Sequence, residues 1–244
     1  MPEPLIVFDH ISKKFGEKTV IKDLSLSIHP REIFGIIGKS GAGKSTLLKM
    51  LIGFYRVDSG KILFHDKDIT QNAHLIKQVV GFCTQDNSFY PELTVFENLA
   101  YYGRLYGLSS LEIQKRSREL LDLMGIYTSK DVLASSLSGG MKRRLDFSIA
   151  LMHHPHLLIL DEPTTGLDPL TEKKIWDLIQ DLASRGTSIL VISHMLDFVE
   201  KYCNTIGFLA AGQIVALGTP AHFRKKYSHK KTFAGVFESV LEGH

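Results

Sequence analysis

The run Gly38-Lys39-Ser40-Gly41-Ala42-Gly43-Lys44-Ser45-Thr46 fits the pattern G-x-x-x-x-G-K-[ST] without a mismatch. Glycines at 38, 41 and 43 let successive backbone N–H groups turn inward around a phosphate with no Cβ clash. Lys44 would then reach the β- and γ-phosphates, and the Ser45 hydroxyl would ligate Mg²⁺. A glycine-rich turn that binds nothing is the alternative. Against it stand an apolar, strand-like run before the loop (Ile33, Phe34, Ile36, Ile37) and a helix-prone run after it, Thr46 to Ile52, stopping at Gly53. A helix starting there adds its positive end to the loop. The segment reads as a nucleoside triphosphate site.

Further chemistry lies downstream. Leu157-Leu158-Ile159-Leu160 runs into Asp161-Glu162, the pattern of a buried parallel strand with carboxylates at its C-terminal edge. Asp161 suits Mg²⁺, directly or through water, and Glu162 suits a base acting on water. A second such strand, Ser188 to Ile192, ends at Ser193-His194. A lone histidine is commonly structural, but this position is where an open parallel sheet places its chemistry. Ser138-Gly139-Gly140 opens a helix with Leu145, Ile149 and Met152 at helical spacing, which makes a second N-terminal anion site. Val79 to Thr84 reads as a strand delivering Gln85. Phe15, 23 residues before Gly38, either stacks on a base or packs in the core.

The elements that must position these residues follow from the same patterns. Leu5–His10, Val20–Leu26 and Ile33–Ile37 read as strands separated by turns at Gly16-Glu17 and His29-Pro30-Arg31, and Gly60–His65 as another. Between 86 and 136 the character changes. Thr94 with Glu97, and Ser109 with Glu112, are capping boxes for two helices, the first running to about Leu105. Two capped helices with no strand between them predict a helical lobe inserted into an α/β core. That stretch is also aromatic (Phe89, Tyr90, Phe96, Tyr101, Tyr102, Tyr106), which means core packing or an exposed patch suited to a partner's helix. A helix over Thr171–Ser184 and a hairpin of Thr205–Leu209 with Gln213–Leu217 follow. From Ala221 the pattern weakens, and the basic cluster Arg224, Lys225, Lys226, Lys230 and Lys231 reads as a solvated tail or a contact for anionic lipid.

Bulk properties narrow the class. A chain of 244 residues with 44% hydrophobic and 23% charged residues is long enough for a full core, one domain with an inserted lobe. Its 29 basic and 26 acidic residues leave +3, too little to argue for a nucleic-acid partner. Cys83 and Cys203 have no metal-like spacing and are expected as free thiols. No uncharged apolar run approaches the ~18 residues of a spanning helix, and Met1-Pro2-Glu3-Pro4 lacks the features of a secretory signal.

Together, Gly38–Ser45, Gln85, Leu137-Ser138-Gly139-Gly140 and Leu157–Glu162, in this order and spacing, resemble the ATP-binding subunits of ABC transporters over about residues 4–220. The resemblance implies an α/β fold: a P-loop NTPase (RecA-like) core with a mainly parallel sheet, an N-terminal antiparallel β lobe and an inserted α-helical lobe. It divides one ABC ATPase domain, 4–235, into the β lobe (4–35), the core (36–85 and 155–220) and the helical lobe (86–154), with a tail over 221–244. It implies ATP and Mg²⁺ as ligands, Phe15 on adenine, residues 38–46 on the phosphates, and Ser45, Gln85 and Asp161 at the metal. Gln85 would also couple to a membrane subunit. Ser138, Gly139 and Gly140 correspond to the signature motif, Gly166-Leu167-Asp168 to the D-loop, Glu162 to the catalytic carboxylate and His194 to the switch histidine at the γ-phosphate.

Two positions depart from the family pattern: Met141 stands where Gln is usual, and Thr165-Gly166 where Ser-Ala is commoner. The runs Leu137–Leu145 and Phe89–Val95 resemble the branch paired with ABC-2 type permeases. Implied partners are an integral membrane permease and a second copy or related ATPase subunit, with no nucleic acid. The chain would sit peripherally on the cytoplasmic face of the membrane and power transport, in the export direction. The competing readings are a soluble ABC-type ATPase acting on a non-membrane assembly and a P-loop kinase. The kinase reading leaves Ser138-Gly139-Gly140 unexplained.

Overall fold

The computed structural model describes residues 3–84 and 86–243; Gln85 lies outside the described residues. The chain forms two compact units, Met1–Lys77 with Ala183–His244, and Gln78–Leu182.

The first unit begins with β1 (Ile6–Phe15) and β2 (Lys18–Ile28), an antiparallel hairpin turning at Gly16, whose φ of 57° suits a residue without Cβ. Strand β1 continues past its expected end at His10 to Phe15, and β2 exceeds the expected Val20–Leu26 at both ends. With β4 (Ser59–Phe64) and β5 (Lys67–Asp68) they make a four-stranded sheet in the order β2-β1-β4-β5. Ile6, Phe8, Ile11, Ile21, Leu24 and Ile28 are buried in it. Between these strands come β3 (Ile33–Ile37) and α1 (Lys44–Leu51), and after them α2 (Ala73–Val79).

The second unit opens with β6 (Val80–Cys83) and continues through α3 (Val95–Leu105), α4 (Ser110–Leu123), α5 (Gly139–Ala150), β7 (Leu157–Asp161) and α6 (Pro169–Ser184), which closes it. Both expected capping boxes are formed: Thr94 Oγ1 accepts from Glu97 N, and Ser109 Oγ from Glu112 N. β6 and β7 are parallel, with Cys83 opposite Leu160. Helix α5 is not amphipathic. Charged Arg143 and Asp146 are buried in it along with Leu145, Phe147 and Ile149, as in a helix covered on most sides.

Back in the first unit, β8 (Ser188–Ile192) and β9 (Thr205–Ala210) run parallel to β3 on either side, and β10 (Gln213–Gly218) pairs antiparallel with β9. Every residue of β3 and β8 is buried, which is why both read as continuous apolar runs. The β9–β10 turn uses Ala211 and Gly212, both at positive φ. Helix α7 (Leu196–Tyr202) lies between β8 and β9.

Residues 221–244 differ from the solvated tail expected. Most of this stretch is helical, in α8 (Pro220–Lys226) and α9 (Phe233–Glu242). Thr219 caps α8, with its hydroxyl accepting from His222 N, and Phe223, Phe233, Val236 and Val240 are buried. The rings of Phe223 and Phe237 lie 4.7 and 6.1 Å from that of Phe208 on β9. Arg224 is not a free surface charge either: Nη2 donates to Glu200 Oε2 at 2.8 Å. A short apolar stripe whose partner strand is distant in sequence carries no local signal of docking.

Cys83 and Cys203 are free thiols, fully buried, and burial pushes the Cys83 thiol up to about 12 and that of Cys203 higher still. They should stay unreactive towards a thiol reagent in the native subunit and react only on unfolding. Rapid labelling of the native chain would contradict this burial.

Candidate functional site

Within the first unit, the phosphate-loop residues and His194 leave the same edge of neighbouring strands. β3 and β8 are parallel, with Ile36 opposite Ile192, so Gly38 and Ser193-His194 both emerge at their C-terminal ends. The loop is shaped as the glycine pattern requires. Gly41 and Gly43 have φ of 78° and 111°, and a Cβ on Gly38 would lie 2.2 Å from the Leu209 carbonyl oxygen. Helix α1 starts at Gly43 with no side-chain cap and no acidic residue in its first turn. Its N-terminal donors and dipole are thus left for an anion. Lys44 folds back over the loop: Nζ donates to Gly38 O at 2.7 Å and Lys39 O at 3.1 Å. A phosphate oxygen placed in the loop would compete for this ammonium.

Ser45 is exposed in the first turn of α1, Ala42 is buried and Thr46 half-buried. Phe15 ends β1 with 41% of its surface exposed; its ring meets Tyr55 edge-on at 5.0 Å. Lys13 Nζ stands 5.4 Å from the ring centre. Phe15 is neither a core residue nor fully free. His194 is exposed.

In the second unit, Ser138 is the N-cap of α5 and its hydroxyl accepts from Met141 N at 3.4 Å. Ser138 and Gly139 are exposed. Gly140 is required by packing, since a Cβ there would meet Thr171 Cγ2 at 2.7 Å. Asp168 immediately precedes α6, with Oδ1 accepting from the N–H groups of Leu170 and Thr171 at 3.1 Å each. Hydrogen bonds from the Thr171 side chain and backbone hold its carboxyl below the usual range. Asp168 therefore has a capping task whatever else it does.

Asp161 ends β7, and Glu162 follows with φ of 50°, a left-handed conformation seldom adopted by a side-chain-bearing residue and directly before Pro163. Such backbone strain concentrates at functional positions.

A relation to known proteins completes the description. Residues 21–165 match the family model described as ABC transporter. This chain is a member of the ABC transporter family. It is the ATP-binding, ATP-hydrolysing subunit. It is 39% identical over 221 residues to the Nod factor export ATP-binding protein I of Paraburkholderia xenovorans, covering 91% of this chain and 73% of that one. It is 39% identical over 237 residues to the linearmycin resistance ATP-binding protein LnrL of Bacillus subtilis, covering 96% and 76%. Among solved structures it is similar to cbiO1 from Clostridium perfringens, part of the ABC transporter complex cbiONQ, at TM-score 0.86 and 28% identity, covering 94% of this chain and 92% of that one. A dimeric ATP-binding cassette in a post-hydrolysis state with ADP and Pi matches at TM-score 0.77 and 25% identity, covering 88% and 98%. ABC ATPases dimerise and work with membrane permeases, and no helix among the described residues is long and apolar enough to cross a membrane.

Two residues of the ABC subunit near these motifs carry almost no signal in its sequence. Arg143 and Asp146 lie one turn apart on α5, where the only sequence signal is an i, i+3 charge pair just after the Ser-Gly-Gly segment. Asp146 Oδ1 accepts from Ser88 N at 2.7 Å, while Oδ2 is buried with no hydrogen-bond partner among the described residues. Burial pushes this carboxyl up to about 6, against opposing effects of the Ser88 N–H and the Arg143 charge.

The folded subunit therefore holds that proton more tightly than the unfolded chain does. This contribution to stability is full below about pH 4 and lost as pH rises through about 6, a difference of roughly 3 kcal/mol. Asp146→Asn, which keeps an acceptor for Ser88 N, should melt above the native subunit at pH 8, and the gap should shrink between pH 6 and 4. A pH-independent gap would show that ionisation of Asp146 is not its cause.

Proposed function

We propose that this subunit powers export by a separate membrane permease, through ATP-dependent pairing with a second copy or a related ATPase subunit at the cytoplasmic face of the membrane. The observation that carries this reading is the extent of the likeness to two export or resistance ATP-binding proteins, over nine-tenths of the chain. In this reading Phe15 stacks on adenine and residues 38–46 hold the triphosphate. Glu162 activates water, and His194 meets the γ-phosphate. Ser138, Gly139 and Gly140 cap the ATP held by the partner copy, with Asp168 beside them. Gln85 links the metal site to the permease.

The donors fit Mg²⁺: the Ser45 hydroxyl, exposed beside the uncapped start of α1, and the Asp161 carboxylate are hard oxygens. When bound, the ion would neutralise charge between the β- and γ-phosphates. The chain's own share is electrostatic. A single loop offsets part of the triphosphate charge, and a second helix start supplies more.

Transport by membrane vesicles carrying the subunit with a permease that co-purifies with it tests the reading. ATP-driven export that disappears without the subunit is expected. An active ATPase that never co-purifies with a membrane protein and supports no transport would favour the soluble-assembly alternative.

The aromatic segment offers a finer test. Tyr90 and Tyr101 are 44% and 39% exposed, with rings 4.9 Å apart, whereas Phe89 is only 8% exposed. Tyr102 is held by its hydroxyl on the Ser88 carbonyl. Tyr90 and Tyr101 are thus the members suited to a permease helix, and Phe89 belongs to the core. Tyr90→Ala or Tyr101→Ala should spare the melting temperature while lowering co-purification with the permease, a docking loss of roughly 2 kcal/mol. Phe89→Ala should destabilise by roughly 3–5 kcal/mol. Early melting of both tyrosine variants would sink the docking role.

A further inference from the structure

The start of α5 and the carboxylate turn after β7 are joined by one side chain. Arg143, 6% exposed, directs its guanidinium at three carbonyls. Nε donates to Pro163 O at 2.8 Å, Nη1 to Thr84 O at 2.5 Å, and Nη2 to Asp161 O at 3.4 Å. Two of these acceptors belong to the residues immediately before and after Glu162. The third, Thr84, immediately follows β6, the strand paired with β7.

Glu162 itself occupies the left-handed region at φ 50°, although it carries a side chain and precedes a proline. A strained conformation of this kind persists only where its surroundings over-determine it. The guanidinium is well suited to that task, being planar, permanently charged and able to address several acceptors in a fixed fork. A buried positive charge spent on backbone carbonyls is costly unless its partners are well placed. Asp146, one turn along α5, supplies the nearby opposite charge and holds Ser88 N.

We infer that Arg143 is a positioning residue for hydrolysis: by bonding the carbonyls on both sides of Glu162, it sets the direction of the Glu162 carboxylate. Its role is indirect, acting through Glu162. It also ties that turn to the helix that Ser138 caps, so a shift of α5 is transmitted to Glu162. The inference rests on the reading of Glu162 as the base.

The test is a double-mutant cycle on the purified subunit, with kcat, KM, ATP affinity and melting temperature measured for each member. Arg143→Lys keeps the charge and loses the fork. It should lower kcat ~10-fold while ATP affinity and KM change less than about 2-fold, because displacement of a reacting group costs rate rather than binding. In a Glu162→Gln background the same change should cost nothing further, since it acts through Glu162.

An undiminished kcat, an effect on KM instead, or equal losses in both backgrounds would overturn the inference while leaving Glu162 as the base. Normal turnover by Glu162→Gln alone would instead remove the underlying reading. Should Arg143→Lys not fold, the native subunit still decides. The Arg143 Nε–H, held on Pro163 O, should exchange with solvent much more slowly than exposed arginines by NMR, and fast exchange would refute the fork.

Discussion

Glu162→Gln is expected to bind ATP normally, to hydrolyse it at least ~10²-fold more slowly, and to accumulate as an ATP-bound dimer. The substitution is nearly isosteric, so it leaves the left-handed turn at φ 50° and its bonds to Arg143 in place. What it removes is an acceptor basic enough to take a proton from water. In the proposed function binding rests on other groups, namely the glycine loop, Lys44 and the start of α1. For that reason the loss should appear in kcat and not in affinity. In the proposed function trapping follows from the same logic, because a γ-phosphate that is not cleaved would continue to bridge two copies. Single-turnover hydrolysis beside size-exclusion chromatography with ATP measures both effects. Near-native turnover in the pure variant would remove Glu162 from the role of base.

Lys44→Ala should weaken ATP binding or abolish turnover. In the structure the Lys44 ammonium rests on the Gly38 and Lys39 carbonyls at 2.7 and 3.1 Å, inside the loop that would receive the phosphates. A phosphate oxygen is a charged acceptor where a carbonyl oxygen is neutral, and charge-assisted hydrogen bonds are roughly twice as strong. Apart from the exposed Lys39, the remaining loop donors are backbone N–H groups and hydroxyls, which carry no full charge. Lys44→Ala should fold, with a melting temperature close to native in the absence of nucleotide. Added ATP should raise it less than it raises the native one. Equilibrium binding of labelled ATP decides the matter: unchanged affinity together with unchanged turnover would falsify the phosphate-loop assignment.

Much of this subunit was legible in its residues alone because the relevant interactions are local. The glycine loop needs particular backbone angles within a few residues, and Gly41 and Gly43 adopt them. The capping boxes at Thr94 and Ser109 each close within three residues. Parallel strands buried on both faces, such as β3 and β8, must be continuously apolar, so they stand out and bring their terminal residues with them. The family itself followed from the order and spacing of such segments.

What the chain could not show by itself were relations between residues distant in sequence. The apolar stripe of α9 and the charge of Arg224 have the local pattern of a loose basic tail, yet Phe208 on β9 and Glu200 on α7 receive them. The same holds for Tyr90 and Phe89, adjacent residues of which one is exposed and the other buried. Sequence type records that both are aromatic, while only packing decides which is covered. Arg143 and Asp146 are the clearest case. Charged residues usually mark the solvated face of a helix, and here they are buried because carbonyls of Thr84, Asp161 and Pro163 and the N–H of Ser88 converge on them. Periodicity places a side chain on one side of its own helix, but whether polar partners wait there is settled by strands and loops up to 59 residues away along the chain.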